Sequence, residues 1–250
     1  MMSADIKFVG LKNYTSLLQE ANFRKVLMNT LVFAVGNTVP SIILGMLVAL
    51  AMNGARRGVG IYRTILFAPY ITPMVAVSVV WSWIFEPRVG ILNYVLSLFN
   101  LPPSQWTQSS STAMLSVLIV TVWKGLGWTM IFYMEAIRKV PKSYLEAAKI
   151  DGANGWKQFI HITVPLISPT TFFLVIMSTI SSLQAYDQIQ ILTQGGPAGS
   201  TRTLLYYYYQ EAFNNYNTGK ASSVAITLVL ITMALSVIES AVSKKLVHNQ

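Results

Sequence analysis

Thr121, Gly125 and Trp128 recur at i, i+4 and i+7, with Lys124 three residues after the threonine and four before the tryptophan. On a helix that spacing makes one stripe, carrying a hydroxyl, a gap and an indole face, with an ammonium at its margin. Val122 adjoins the stripe, Ser178 and Ser182 lie one turn apart on a later apolar stretch, and Tyr70 sits on an earlier one. These groups bind by stacking and hydrogen bonding; they do not break bonds. There is no cysteine, which removes disulfides, thiolate metal sites and cysteine nucleophiles. The only imidazoles, His161 and His248, stand in no metal-ligand spacing. The one Gly-Lys pair, Gly219-Lys220, is followed by Ala221 and lacks the phosphate-cradling loop. No catalytic residue and no metal ligand is assigned.

The elements that must position the stripe are long and apolar. With 53% hydrophobic and 11% charged residues, the chain departs from the soluble average of about 25% charged. Its mean hydropathy is +0.51. Five segments, near 27–51, 63–85, 112–135, 160–185 and 221–243, are each long enough to cross a hydrocarbon core, which takes about 20 helical residues. The predicted fold class is therefore all-α, a polytopic membrane helix bundle of about five spans. Ser, Gly and Thr in such spans also serve helix packing, so the stripe and the two serines admit a packing role as well as a binding one.

Positive charge orients the bundle, because short cytoplasmic connections are enriched in it. Arg56, Arg57 and Arg63, then Arg138, Lys139, Lys142, Lys149 and Lys157, then Lys244 and Lys245 all fall on one side. The other side carries only Arg88, Arg202 and Lys220 in its later connections, and the N-terminal tail, with Lys7, Lys12, Arg24 and Lys25, joins it against the trend. The C-terminus is expected to be cytoplasmic. The net charge of +9 reads as loop topology and attraction to anionic lipid, since no basic face with interleaved aromatics suggests nucleic-acid binding.

In the most basic connection lies Glu146-Ala147-Ala148-Lys149-Ile150-Asp151-Gly152-Ala153, followed by Ile162-Thr163-Val164-Pro165-Leu166. Ala147 and Ala148 allow close approach of another surface, Glu146 and Asp151 offer carboxylates, and Gly152 permits a sharp exit from a helix. This segment resembles the EAA loop of permease subunits of binding-protein-dependent ABC importers. Further matches follow in chain order: Gly10 to Tyr14, Asn29 to Leu31, Tyr62 to Thr64 with Pro69, Gly90 to Asn93, Trp106, Trp123 with Gly127, Tyr186 to Ile189, and Leu192 to Pro197. Together they resemble the carbohydrate-type permeases, the group that includes the larger permease of the maltose importer and the first permease of the glycerol-3-phosphate importer. Two departures stand out: the family usually has another helix ahead of the Gly10 to Tyr14 element, so this chain is expected to be naturally short, truncated or given a late start codon, and Tyr186 stands where phenylalanine is frequent.

The resemblance implies a type I ABC importer transmembrane domain over 27–245, with an external tail at 1–26, a coupling loop near 138–160 and a cytoplasmic tail at 246–250. It implies ATPase coupling through Glu146, Ala147, Ala148, Asp151, Gly152 and Pro165. It places substrate contacts at Thr121, Val122, Gly125, Trp128, Ser178 and Ser182. Tyr70 is a looser candidate, and Lys124 either pairs with a carboxylate or carbonyl of a partner permease or draws an anionic solute. Gly195, Gly196 and Pro197 would meet the binding protein, and the run Tyr206 to Tyr209 reads mostly as an interfacial aromatic belt. Expected partners are a second homologous permease, an ATPase dimer, an extracytoplasmic solute-binding protein, a carbohydrate and membrane lipid, in the cytoplasmic membrane of a prokaryote. This chain should bind no cofactor; ATP and Mg belong to the ATPase, and the chain itself is no enzyme. The competing readings are a secondary transporter driven by an ion gradient, which would need intramembrane carboxylates beyond Asp187 and Glu239 near the span ends, an ABC permease for a non-sugar solute, and a non-transport scaffold.

Overall fold

The structure is a computed structural model that describes residues 9–54 and 58–246; Lys7, Arg56, Arg57 and His248, and the side chains of Lys244 and Lys245, lie outside the described residues. Among the described residues there is helix and no strand. A short α1 (Lys12–Gln19) precedes the long α2 (Ala21–Asn53), which starts several residues ahead of the boundary expected from hydropathy and carries Pro40 in its interior. Two more long helices follow, α6 (Ala113–Arg138) and α13 (Thr218–Leu246). Ala21–Asn53, Ala113–Arg138 and Thr218–Glu239 are long and apolar enough to cross a membrane, and two bent helix pairs bring the number to five if each pair is one span.

Those pairs correct the expectation of continuous second and fourth spans. The second stretch is α3 (Val59–Ile71) and α4 (Met74–Ile84), separated by an extended Thr72 (φ −67°, ψ 139°) and Pro73. Proline forces its predecessor out of the helical region and has no N–H to return, so hydropathy runs through a point where the helix cannot. The fourth comprises α8 (Gly155–Gln158), a π turn (Phe159–Thr163), α9 (Val164–Leu166) and α10 (Ser168–Leu183), bent by 64°. Pro165 and Pro169 each remove a helical donor there. The chain answers with a widened turn, in which the Val164 N–H reaches back to the Phe159 carbonyl.

Short helices complete the order: α5 (Ile91–Leu98), α7 (Lys142–Ile150), α11 (Asp187–Leu192) and α12 (Leu204–Tyr209). The chain divides into two compact units, the first of residues 1–36, 73–121 and 180–234, the second of 37–72, 122–179 and 235–250. The first unit has two cores. One gathers Phe33, Phe85, Val117, Val120 and Ile189 with Tyr206; the other gathers Leu17, Phe23, Val26, Leu204 and Tyr207. The second unit packs Ala49, Met130, Tyr133, Met134, Ile167 and Leu174.

In the second unit helix contact is close enough to need glycine. A Cβ on Gly127 would lie 2.1 Å from the Leu66 carbonyl oxygen, and one on Gly45 would lie 2.5 Å from the Thr129 side chain. Membrane helices associate through such small residues because lipid offers no hydrophobic drive to bring helices together.

Candidate functional site

The second unit brings Tyr70, Lys124 and Trp128 together. Tyr70 is in the last turn of α3, whose final carbonyls have no helical partner because the chain turns extended at Thr72. The Lys124 ammonium donates to the Tyr70 carbonyl at 2.9 Å and stands 5.3 Å from the centre of the Tyr70 ring. A cation at a helix C-terminus also offsets the negative end of the helix dipole. The demand that a mid-span ammonium find a partner is met within the chain itself, by a backbone carbonyl that the Pro73 break leaves open.

Trp128 stacks on Tyr70, with ring centres 6.1 Å apart and planes at 19°, and meets Phe132 at 5.0 Å and Phe173 at 6.4 Å. Tyr70, Phe132 and Phe173 are exposed on the isolated chain. Phe67, Phe132 and Phe173 extend the aromatic surface and were not picked out from the sequence; only Phe132, four residues after Trp128, shares a spacing that could have shown it. Gly125 and Gly127 prove to have different settings. Nothing lies within 4 Å of a Cβ built on Gly125, whereas Gly127 has no room for one. Close helix packing thus belongs to Gly127, and Gly125 leaves open space beside Lys124 and Trp128.

The remaining candidates have other settings. Val122 and Ser178 belong to the same unit but are buried, and Thr121 and Ser182 belong to the first unit. There Ser182 is buried and the half-buried Thr121 donates its hydroxyl to the Val117 carbonyl at 2.8 Å.

The segment around Glu146 forms α7, entered through Pro141 and left through Asp151. Its end is closed by a paired arrangement: the Gly152 N–H donates to the Lys149 carbonyl at 3.2 Å and the Ala153 N–H to the Ala148 carbonyl at 2.9 Å. Gly152 has φ +79°, the left-handed conformation this closure requires. Leu145 packs on the core of the second unit, while Glu146, Ala147 and Asp151 are exposed. So are Tyr144, Ile150 and Trp156, with Ile150 86% exposed. Ile150 was given no role within its motif and Trp156 was not singled out, since lone apolar residues in a basic loop carry no periodic signal. Pro165 is half-buried in α9, directly after the π turn.

The first unit ties its polar groups to itself. Asn29 donates to the Gly199 and Arg202 carbonyls at 2.8 and 3.1 Å, Lys25 donates to the Ala198 carbonyl at 2.8 Å, and the Leu204 N–H donates to the Thr30 hydroxyl at 2.9 Å. Gly195 has φ +76° and is buried, a Cβ there falling 2.6 Å from the Tyr206 ring; the Gly196 carbonyl accepts from the Ser200 and Thr201 hydroxyls, and Pro197 is half-buried. Lys220 pairs with Glu20 at 2.7 Å and with the buried Glu211 at 3.4 Å.

The tyrosine run is not mainly a belt. Tyr206 and Tyr207 are core residues, 3% and 1% exposed, because α12 turns them into the two cores of the first unit. Tyr186 packs beside the run. It sits among the rings of Tyr206 and Tyr209, and desolvation, then its hydrogen bond to Tyr209, pushes its pKa up to about 12.

The family described as "Binding-protein-dependent transport system inner membrane component" matches residues 41–248. The chain belongs to that family. This permease is 34% identical over 244 residues to the sn-glycerol-3-phosphate transport system permease protein UgpA of Agrobacterium fabrum, an alignment covering 96% of this chain and 82% of the relative. It is 33% identical to the probable ABC transporter permease protein YurN of Bacillus subtilis, over 95% of this chain and 82% of that one. The fold matches a solved bacterial ABC transporter involved in import of the acidic polysaccharide alginate, with a TM-score of 0.87 at 21% identity, covering 96% of this chain and 85% of the other. The same kind of transporter, solved in complex with an alginate pentasaccharide-bound periplasmic protein, gives a TM-score of 0.86. The permease is thus a multi-pass inner-membrane component of an importer, a transport subunit rather than an enzyme.

Proposed function

We propose that this permease carries a sugar or sugar derivative past the face formed by Tyr70, Lys124, Gly125 and Trp128, driven by an ATPase dimer that engages α7. A second, homologous permease covers that face, and an extracytoplasmic binding protein delivers the solute. The observation that carries the reading is the open aromatic surface itself. Stacked rings suit the apolar faces of sugars, and an ammonium within a membrane span belongs on a protein-covered or water-filled cavity, not on lipid. The names of the relatives, a glycerol-3-phosphate permease and an alginate importer, support a carbohydrate-related solute. Closure of the ATPases would move α7 and, through the π turn and the bend before α10, shift the spans between two states of different solute affinity. The C-terminus lies on the α7 side, in the cytoplasm.

Trp128→Ala tests the solute face. Loss of the stacking surface is expected to weaken transport by about tenfold or more, in line with about 1–3 kcal/mol for such contacts, while the affinity of the binding protein for its sugar stays unchanged. Full transport by the variant would contradict the assignment.

A further inference from the structure

Between α4 and α6 the chain carries no Asp, Glu, Lys or Arg from Val89 to Thr112. Within this stretch α5 is held on one side by a polar anchor. Asn93 donates to the Pro87 and Ser104 carbonyls at 2.8 and 2.9 Å, and its oxygen accepts from the Trp106 indole at 2.8 Å. Gly90 lets the turn close before the helix, since a Cβ there would lie 2.3 Å from the Glu86 carbonyl oxygen. With Asn93 fixed inward, the opposite face is fixed outward. It consists of Ile91, Tyr94, Val95 and Leu98, of which Ile91, Tyr94 and Leu98 are 59%, 64% and 62% exposed. Phe99 and Leu101 continue it beyond the helix, and Trp83, 72% exposed at the end of α4, stands on the span that leads into it.

We infer that α5 is an interfacial helix, seated in the headgroup boundary of the bilayer through Ile91, Tyr94, Val95 and Leu98. Three observations favour lipid over a protein occupant. The outward face is continuous with a membrane span through a connection of only a few residues, which holds α5 at the level of the membrane surface. Its absence of charge matches no electrostatically steered partner, while tyrosine and tryptophan at its edges are the residues that settle at the interface. A binding protein that docks and leaves would abandon this apolar patch to water in every cycle, whereas lipid covers it permanently. The leaflet rests on the proposed function: with α7 cytoplasmic, α5 belongs to the outer leaflet.

This chain has no cysteine, so with the thiols of the partner subunits blocked beforehand a single introduced cysteine can be labelled in the assembled importer, reconstituted in vesicles of phosphatidylethanolamine and phosphatidylglycerol. Leu98→Cys and Tyr94→Cys each take an environment-sensitive fluorophore, with Gln105→Cys, exposed in the loop, as the water reference. The expected result is a blue-shifted emission at both helix positions that loses most of its intensity to lipids carrying a nitroxide near the headgroup, and less to lipids carrying it deep in the acyl chain. Emission like that of Gln105→Cys, quenched by aqueous iodide and not by lipid, would overturn the inference, as would cross-linking of both positions to the second permease. Each label occupies an exposed site, and uptake by the labelled importer verifies folding. A fluorophore on Ile150→Cys reports the side of α7 in the same vesicles. Finding α5 and α7 labels on one side with lipid quenching intact would uphold the interfacial helix and refute the proposed orientation.

Discussion

The loop from Thr193 to Leu204 in the first unit is polar and glycine-rich, the face around Trp128 in the second is aromatic, and the two dispose of their groups differently. In the first, hydroxyls, amides and ammonium groups are spent on backbone carbonyls of the same unit: Lys25 on Ala198, Asn29 on Gly199 and Arg202, Thr201 on Gly196. Its Gly195 sits where a side chain would collide with Tyr206. In the second, Tyr70, Phe132 and Phe173 remain exposed and Gly125 borders open space. Both surfaces tie an ammonium to a backbone carbonyl, Lys25 to Ala198 and Lys124 to Tyr70, so the difference lies in the rings: a loop satisfied throughout by its own unit is built to hold a shape, and a face that keeps aromatic rings outward is built to meet something else. The contrast also separates two uses of glycine, a distinction that residue type alone does not reveal.

The strongest way to break the contrast is Gly127→Val. Backbone-to-backbone contact with Leu66 leaves no room for the added atoms, so a loss of about 3 kcal/mol is expected, read as a large drop in thermal stability of the solubilised importer. Gly125→Val is the matched control, expected to leave stability within about 0.5 kcal/mol or so of the parent apart from helix propensity, while altering transport. Equal destabilisation by both would erase the difference between packing and open glycine.

Next comes Lys220→Met in the first unit, which leaves the buried Glu211 and the half-exposed Glu20 without their cation. Breaking a fully buried pair costs about 3–5 kcal/mol, and the partial exposure of this one reduces the expected loss to about 2 kcal/mol. Thermal unfolding should fall while the residual transport per folded importer is retained.

A smaller effect is expected from Lys124→Met, which removes the cation from the broken end of α3. The capping contribution is about 1 kcal/mol. Because the ammonium is engaged by the Tyr70 carbonyl, acidic and neutral solutes should lose transport equally, as measured by paired uptake assays. A selective loss for acidic solutes would assign Lys124 to the solute instead.

Much of this architecture was legible in the sequence because it rests on local signals. Long apolar runs marked the three long helices and both bent pairs among the described residues, and the Gly152 turn followed from a glycine placed just after a helical, alanine-rich segment. The α3–α4 break was written in Thr72-Pro73 but masked by unbroken hydropathy on both sides. Tyr206 and Tyr207 looked like belt residues because the tyrosine run says nothing about which way α12 turns. The aromatic surface around Trp128 joins Phe67, Phe132 and Phe173 from three separate helices, so no sequence spacing connects them all. Asn93 matched a family motif, but its anchoring role depends on Pro87, Ser104 and Trp106 meeting in space.

Whether α7 is held outward to receive force from an ATPase, as proposed, is decided by Glu146→Lys in the reconstituted importer. Glu146 is exposed and makes no contribution to the core of the second unit, so the variant should fold, insert and keep its permease partner. ATP-driven uptake is expected to fall steeply while the binding protein still docks, with ATPase association or stimulation lost. Full uptake with normal ATPase association would contradict it.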